Sequence, residues 1–304
     1  MINASLTSGT VPAGWKVATV VPLHKAGSVT NVTNYRPISI LPVIAKVAES
    51  VVCQQLMSYL LSHSILSEAQ HGFRPGRCTE SAMLDTVEYL MGGLDSGMVG
   101  CLTTVDTSKA FDSVNHPQLL DKLGWYGIES HWFKDWLSGR VQNVKGGQNT
   151  TSITHGVIQG SLIGPILFLL MTNDLASHID SKMVMYADDV QCLHLDKPDN
   201  LLTLQTSVEN TMNDAKRWFA ENSLKINPAK TDFVLIKHKQ RRNIPDLEVQ
   251  FDDVKIKPST SVKVLGMMID SDLSFDEHVS LVIRRSYATH RGIVETFKSV
   301  AKRS

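Results

Sequence analysis

The run Met183-Val184-Met185-Tyr186-Ala187-Asp188-Asp189-Val190-Gln191-Cys192-Leu193 sets two adjacent carboxylates between two short apolar segments. Apolar residues flanking a tight polar turn predict a β-hairpin whose strands are buried on at least one face, with charge at the tip. A paired aspartate there has no packing value. It is costly to desolvate unless it is solvated, hydrogen-bonded or bound to cations. A solvated surface turn is the competing reading, since Asp accepts local backbone hydrogen bonds and tolerates turn dihedrals.

A second acidic strand end shifts the balance. Cys101-Leu102-Thr103-Thr104-Val105 is apolar and β-branched, and it terminates in Asp106, followed by Thr107-Ser108-Lys109-Ala110-Phe111-Asp112. If both strands lie side by side in one sheet, Asp106, Asp188 and Asp189 converge on one edge of it. Three clustered carboxylates repel one another unless hard cations neutralise them. Mg²⁺ suits oxygen ligands in octahedral geometry and keeps positions open for water and phosphate, with Mn²⁺ the alternative ion. Two such ions, about 3.5–4 Å apart, clamp the attacking and leaving oxygens of an in-line displacement at phosphorus. The chemistry implied is phosphoryl transfer.

The rest of the chain narrows the classes. Its 304 residues, 42% hydrophobic and 20% charged, suit a globular protein of one large domain or two lobes. The longest apolar run, Leu162 to Met171, is far shorter than the roughly 20 residues that span a bilayer. Met1 is followed by polar residues without a basic n-region, so no signal peptide and no membrane partner are expected; with the scattered cysteines this predicts an intracellular, non-secreted protein. Cys53, Cys78, Cys101 and Cys192 lack zinc-ligand spacing and read as reduced packing residues. Neither a Rossmann nor a P-loop glycine pattern is present. A formal charge of +0 argues against a polyanion partner, but Lys216, Arg217, Lys225, Lys230, Lys237, Lys239, Arg241 and Arg242 crowd one region.

Hydrophobic periodicity predicts a helix from Ala45 to Leu61 with Val47, Val51, Leu56 and Leu60 inward. It predicts a longer helix ending near Asn222, with Leu201, Leu204, Val208, Met212, Ala215 and Phe219 buried. Strands are expected over Val17–Leu23, Val141–Lys145, Thr151–Val157, Phe233–Ile236, Leu247–Ile256 and Val262–Ile269, with a last helix from near Phe275. Hairpins without a βαβαβ series favour an α+β sheet covered by helices on one face.

In chain order, Ala18 through Gly27, Asn34-Tyr35-Arg36-Pro37-Ile38-Ser39, Gly72-Phe73-Arg74-Pro75-Gly76-Arg77 and Asp106 through Asp112 form an ordered set of motifs. It continues with Gln159 through Pro165, Tyr186-Ala187-Asp188-Asp189, Asn222 through Thr231 and Val264-Leu265-Gly266. Together they resemble the reverse transcriptase domain of non-LTR (LINE-type) retrotransposons, over about residues 10 to 280. The resemblance implies a right-hand polymerase of the α+β class: fingers over 1–97, palm over 98–116 and 151–275, an insertion over 117–150, and the start of an incomplete thumb over 276–304. It implies RNA-directed DNA synthesis on an RNA template and DNA primer from deoxynucleoside triphosphates, and a location in the nucleus, the cytoplasm or both. Oligomeric state stays open.

Residue by residue, the resemblance makes Asp106 and Asp188 ligands of two Mg²⁺ ions, with Asp189 beside them. Phe111 would meet the incoming sugar and clash with a ribose 2′-hydroxyl; otherwise it is a core aromatic. Lys25 and Arg36 would contact the triphosphate, where cations stabilise charge on the leaving pyrophosphate; otherwise they are surface charges. Gln159 and Gly160 would position template and nucleotide, Lys230 would protonate pyrophosphate or simply be solvated, and Arg74, Arg77 and Tyr186 would lie along template and primer. Ile158 replaces the family's usual Pro, which should loosen that loop, and Thr107 replaces a common Leu, a mild change. Relatives carry an upstream endonuclease and a longer thumb, so we expect a fragment of a longer product or a degenerate copy. Two rivals remain: an RNA-dependent RNA polymerase, and a catalytically inert, reverse-transcriptase-derived RNA-binding module.

Overall fold

The computed structural model describes residues 1–301 except 148, 228–230, 241–243, 246 and 252–253. A short helix α1 (Ile2–Ser8), unheralded by the polar opening, stops at Gly9 in left-handed backbone. Then come β1 (Val17–His24), β2 (Tyr35–Ile40), α2 (Val43–Ser62), α3 (Thr79–Asp95), β3 (Val99–Val105) and the one-turn α4 (Ala110–Ser113). They are followed by α5 (His116–Trp125), α6 (His131–Leu137), β4 (Arg140–Val144), β5 (Thr150–Ile153), α7 (Ile163–Thr172), β6 (Lys182–Tyr186) and β7 (Asp189–Asp196). The remainder is α8 (Leu201–Glu221), β8 (Asp232–Ile236), β9 (Val249–Phe251), β10 (Val254–Ile256), β11 (Ser261–Val264), β12 (Met267–Asp270) and α9 (Asp276–Ala301).

Two four-stranded sheets organise the chain. One has the order β6-β7-β3-β8 and is antiparallel throughout. In the other, β2-β1-β4-β5, only the β1–β4 pair is parallel. Helices and largely antiparallel sheets give the expected α+β class. The two strands expected near the C-terminal end each resolve into a hairpin, β9–β10 and β11–β12. The second turns through Leu265 (φ 48°) and Gly266 (φ 92°), adjacent left-handed residues that suit a two-residue loop.

Coverage of the first sheet differs from expectation: helices pack on both faces. Leu102, Val184, Leu193, Val234 and Ile236 meet Ala82, Met83 and Leu90 of α3 together with the β11–β12 hairpin. On the opposite face, Val99, Cys101, Phe233 and Leu235 meet Leu204, Val208 and Met212 of α8. Val105, Met185, Val190 and Cys192 pack on Ala215, Trp218 and Phe219 of the same helix. The cause lies in β3, buried along nearly its whole length, Gly100 and Thr103 included. A strand buried on both sides reads as a continuous run, not an alternation.

The third packing unit joins α2, α5, α6 and α7 beneath the second sheet. The inward face of α2 is Ala45, Ala48, Glu49, Val52, Leu56 and Leu60, whereas Val47 is exposed. That stripe is offset from the one periodicity predicted, because a buried carboxylate, Glu49, belongs to it. No described helix is long and apolar enough to cross a membrane. The four cysteines are free.

Candidate active site

The strand pairing brings the acidic residues to one end of the first sheet. Tyr186 pairs with Asp189, leaving Ala187 and Asp188 as the tip of the β6–β7 hairpin. β3 runs antiparallel to β7 with Val105 opposite Val190, so Asp106 leaves the sheet beside Asp189. Beyond the end of β3 the Asp106 carbonyl accepts the Asn227 N–H (2.9 Å), and Thr107 pairs with Ile226. Asp106 and Asp189 line one cleft with Gln191, Asp232 and residues 262–265 of β11 and its turn.

Electrostatics tie the third carboxylate and two cations to this end. Burial pushes the Asp188 carboxyl above the usual Asp range and the negative charge of Asp106 pushes it further, while Arg36 and Lys25 pull it back. Charges from three separate places in the chain therefore bear on Asp188. Arg36 lies opposite Leu23 in the β1–β2 hairpin, and Lys25 continues it, donating its N–H to the Asn34 carbonyl (2.8 Å). Both cationic side chains are on exposed residues.

Among the described residues no group of three or more His, Cys, Asp or Glu side chains forms a cage that could hold a metal ion. What stands here is a mutually repelling pair, Asp106 and Asp188, with Asp189 on the rim of the same end. That donor set still fits Mg²⁺, which is ordinarily held by one or two carboxylates plus water and substrate phosphates.

The Gln159–Gly160 loop is tied to the second sheet. Ser39 of β2 donates its N–H to the Gln159 carbonyl (2.7 Å), and the Gln159 side-chain amide donates to Asp112 Oδ1 (2.7 Å). Gly160 has φ 116°, and a Cβ there would sit 2.3 Å from the Ser39 carbonyl oxygen. This position needs glycine for conformation and for space. Ile158, in place of proline, is buried, and Ser39 holds the loop through the neighbouring residue. Phe111 is half-buried, stacked on Phe168 (ring centroids 4.4 Å apart) with Phe73 at its edge, and its carbonyl accepts the Val157 N–H (2.7 Å). It is thus both a core contact and a residue next to the loop. Thr107 is buried and its hydroxyl makes no hydrogen bond.

The remaining expected residues have other partners or surroundings where they are described. Arg74 donates to Glu68 Oε1 (2.7 Å) and to the Ser67 carbonyl (2.7 Å); Arg77 donates to the Glu68 carbonyl and carboxylate. Both guanidiniums are thus engaged by the 67–68 segment. Tyr186 is half-buried on the α3 face of the sheet. Lys230 lies outside the described residues.

Two buried polar residues that no motif or periodicity singled out support these parts. Gln70 Oε1 accepts from the N–H of Ala187 (3.0 Å) and of Gly72 (2.8 Å), and its Nε2 donates to the Ala187 carbonyl (3.5 Å). Glu49 accepts the Leu162 N–H (2.8 Å) at the start of α7 and the Trp136 indole N–H (3.1 Å). Burial pushes the Glu49 carboxyl above the usual Glu range, opposed by the Leu162 amide and by Arg140. The only hint of Gln70 in the sequence is its place two residues before Gly72.

The family model for reverse transcriptase (RNA-dependent DNA polymerase) matches residues 23–269. The probable RNA-directed DNA polymerase from transposon X-element of Drosophila melanogaster is 29% identical over 95% of this chain and 33% of its own length. The RNA-directed DNA polymerase from mobile element jockey of the same organism is 26% identical over 92% of this chain and 32% of its own. The chain therefore spans about a third of the length of these curated relatives. Among solved structures, apo telomerase from Candida tropicalis truncated from its C-terminal domain superposes with TM-score 0.57 at 12% identity, covering 90% of this chain and 58% of that one. Telomerase from Candida albicans gives TM-score 0.54 at 14% identity, covering 90% and 48%. At such identity the likeness is one of fold.

Proposed function

This chain belongs to the reverse transcriptase family, and from that premise we propose that it carries RNA-directed DNA polymerase activity, joining a primer 3′-hydroxyl to the α-phosphate of a deoxynucleoside triphosphate on an RNA template. The observation that carries the reading is the strand pairing, which brings Asp106, at the end of β3, beside the Asp188–Asp189 turn of the β6–β7 hairpin; burial and the charge of Asp106 raise the Asp188 carboxyl there, and Arg36 and Lys25 lower it. A carboxylate pair facing two cations is what a metal-bound triphosphate requires, with one set of charges for the ions and the other for the phosphates.

Asp106 and Asp188 would hold divalent cations, Mg²⁺ or Mn²⁺, with Asp189 beside them. Bound there, such ions favour the ionised 3′-hydroxyl and neutralise charge at the reacting phosphate. Arg36 and Lys25 bind the β- and γ-phosphates and stabilise charge on the departing pyrophosphate. Lys230 supplies the proton that pyrophosphate takes up. The Gln159–Gly160 loop, fixed to β2 by Ser39, sets the height of the template base and nucleotide above the carboxylates. Phe111, held by Phe168, closes the space a 2′-hydroxyl would need, which favours deoxy- over ribonucleotides. In this reading the β1–β2 sheet belongs to fingers and the β6-β7-β3-β8 sheet to palm, with α9 the start of the thumb.

The test is extension of a DNA primer annealed to RNA, with Mg²⁺ and deoxynucleotides. The wild-type chain extends the primer, and Asp106→Ala and Asp188→Ala abolish extension while leaving the fold intact by circular dichroism. Normal extension by either variant overturns the assignment. Preferential use of ribonucleotides would favour an RNA polymerase, and duplex binding without extension would favour an inert binding module.

A further inference from the structure

The Asp188 turn is held from outside the sheet, through backbone and a single buried side chain. Residues 69–71 run parallel to the end of β6: Met185 donates its N–H to the Ala69 carbonyl (2.7 Å), and His71 donates to the Met185 carbonyl (2.8 Å). Between them Gln70 is buried, and its amide brackets Ala187 on both sides, accepting from its N–H and donating to its carbonyl. Ala187 has φ 57°, left-handed backbone that residues other than glycine seldom adopt. Gly72 packs so tightly that a Cβ there would sit 2.4 Å from the Ala187 nitrogen. The residue directly before Asp188 is therefore held, at its N–H and at its C=O, by a side chain 117 residues away.

We infer that Gln70 is a positioning residue that sets the direction of the Asp188 carboxylate and, through it, the affinity of the site for divalent cations. The side-chain hydrogen bonds of Gln70 go to the backbone of Ala187 and Gly72, so its effect passes through the residue next to Asp188. An amide suits this task, because one side chain supplies both the acceptor for the N–H and the donor for the C=O of one residue, and so holds the two peptide units that flank it. A buried group of like shape without those atoms would leave the Ala187 N–H and C=O unpaired and free the turn to rotate. Residues that orient a ligand from behind it characteristically change metal affinity or activity by about 10–100-fold when replaced.

The inference rests on the polymerase reading, and the test separates the two. Gln70→Met keeps the volume and removes the hydrogen bonds; Gln70→Asn, with a shorter amide, serves if the first variant fails to fold. Binding of Mn²⁺ alone is followed by electron paramagnetic resonance on the nucleic-acid-free chain, and Mg²⁺ is titrated in primer extension. The expected result is Mn²⁺ binding weakened by about 10–100-fold, an equal rise in the Mg²⁺ needed for half-maximal extension, and recovery of kcat at high Mg²⁺ with KM for the nucleotide unchanged. A purely structural role lowers the unfolding midpoint and leaves both metal curves in place, and that outcome overturns the inference. If the wild-type chain binds Mn²⁺ through Asp188 and extends no primer, the polymerase reading fails while the Mn²⁺ comparison still decides the role of Gln70.

Discussion

Gly160→Ala is the substitution for which the structure yields the most definite arithmetic. A Cβ at this position sits 2.3 Å from the Ser39 carbonyl oxygen, and real contacts do not fall below 3.0 Å, so loop and β2 must part by at least 0.7 Å (3.0 − 2.3). The backbone at φ 116° adds strain of about 1–3 kcal/mol for a residue with a side chain. Parting also lengthens the 2.7 Å Ser39–Gln159 hydrogen bond, worth about 1 kcal/mol. Held in place, the variant would lose about 2–4 kcal/mol of stability. Gly160 is exposed, however, so the loop can swing outward and relieve most of that cost. The damage then passes to function, because a displacement approaching 1 Å at a positioning element can reduce rate by about 10²-fold. Single-nucleotide incorporation on a saturating primer–template is the assay, with chemical unfolding alongside. We expect kcat/KM for the deoxynucleotide to fall by about 100-fold with a stability loss below the held-in-place figure. Gly14→Ala, where a Cβ meets nothing within 4 Å, is the control. A Gly160→Ala enzyme with wild-type kcat/KM refutes the claim that contact with Ser39 sets the loop.

Phe111→Val removes the ring face while keeping an apolar residue beside Phe168, so ribonucleotide incorporation relative to deoxynucleotide should rise by about 10–200-fold, the range that small changes in a shape-selective pocket produce. An unchanged ratio in competition assays would return Phe111 to a packing role alone. Asp270 accepts the N–H groups of Ser274 (2.9 Å) and Phe275 (2.7 Å) at the entry to α9. Burial raises its carboxyl, but the amides of Ser274, Phe275 and Asp272 outweigh it and hold the group below the usual Asp range. A depressed folded value means that the stabilisation is present above the unfolded value of about 3.9 and is lost as pH falls through the folded one. Urea unfolding should therefore show wild type more stable than Asp270→Asn at neutral pH, with the gap closing below about pH 4. A gap that widens toward acid contradicts the sign.

Legibility in the sequence followed how local each cause was. The β6–β7 hairpin and the inward face of α8 were readable because apolar spacing and turn residues lie within a few positions of one another, and Leu204, Val208, Met212, Ala215 and Phe219 are indeed buried. The order of motifs singled out Asp106, Asp188, Lys25 and Arg36, and in the structure the charges of the other three bear on Asp188. Gln70 and Glu49 were not. Each serves backbone amides more than 100 residues away, at separations of 117 and 113, and a buried polar side chain leaves no periodic trace. The inward face of α2 was misjudged for the same reason: counting only apolar residues chose Val47, while the buried face runs through Glu49. Coverage of the sheet was misjudged because Gly100 and Thr103 look like breaks in an apolar pattern. A Cβ on Gly100 would meet the Leu90 side chain at 3.0 Å, so Leu90 packs close against the bare backbone there.

The neutral formal charge, which weighs against a polyanion partner when read from composition, loses its force once the charges are placed. Screening confines an exposed charge to about 8–10 Å at physiological salt, so a triphosphate responds to the cations it meets and not to a sum over 304 residues. Lys25 and Arg36 come from one sheet and the repelling aspartates from the other, and the two sets meet at Asp188. Bringing them together is the task of the backbone ties: Ser39 to Gln159 on the cationic side, Gln70 to Ala187 on the acidic side. Substitutions that loosen either tie should therefore impair catalysis without changing any charge, whereas charge swaps far from this junction should leave it untouched.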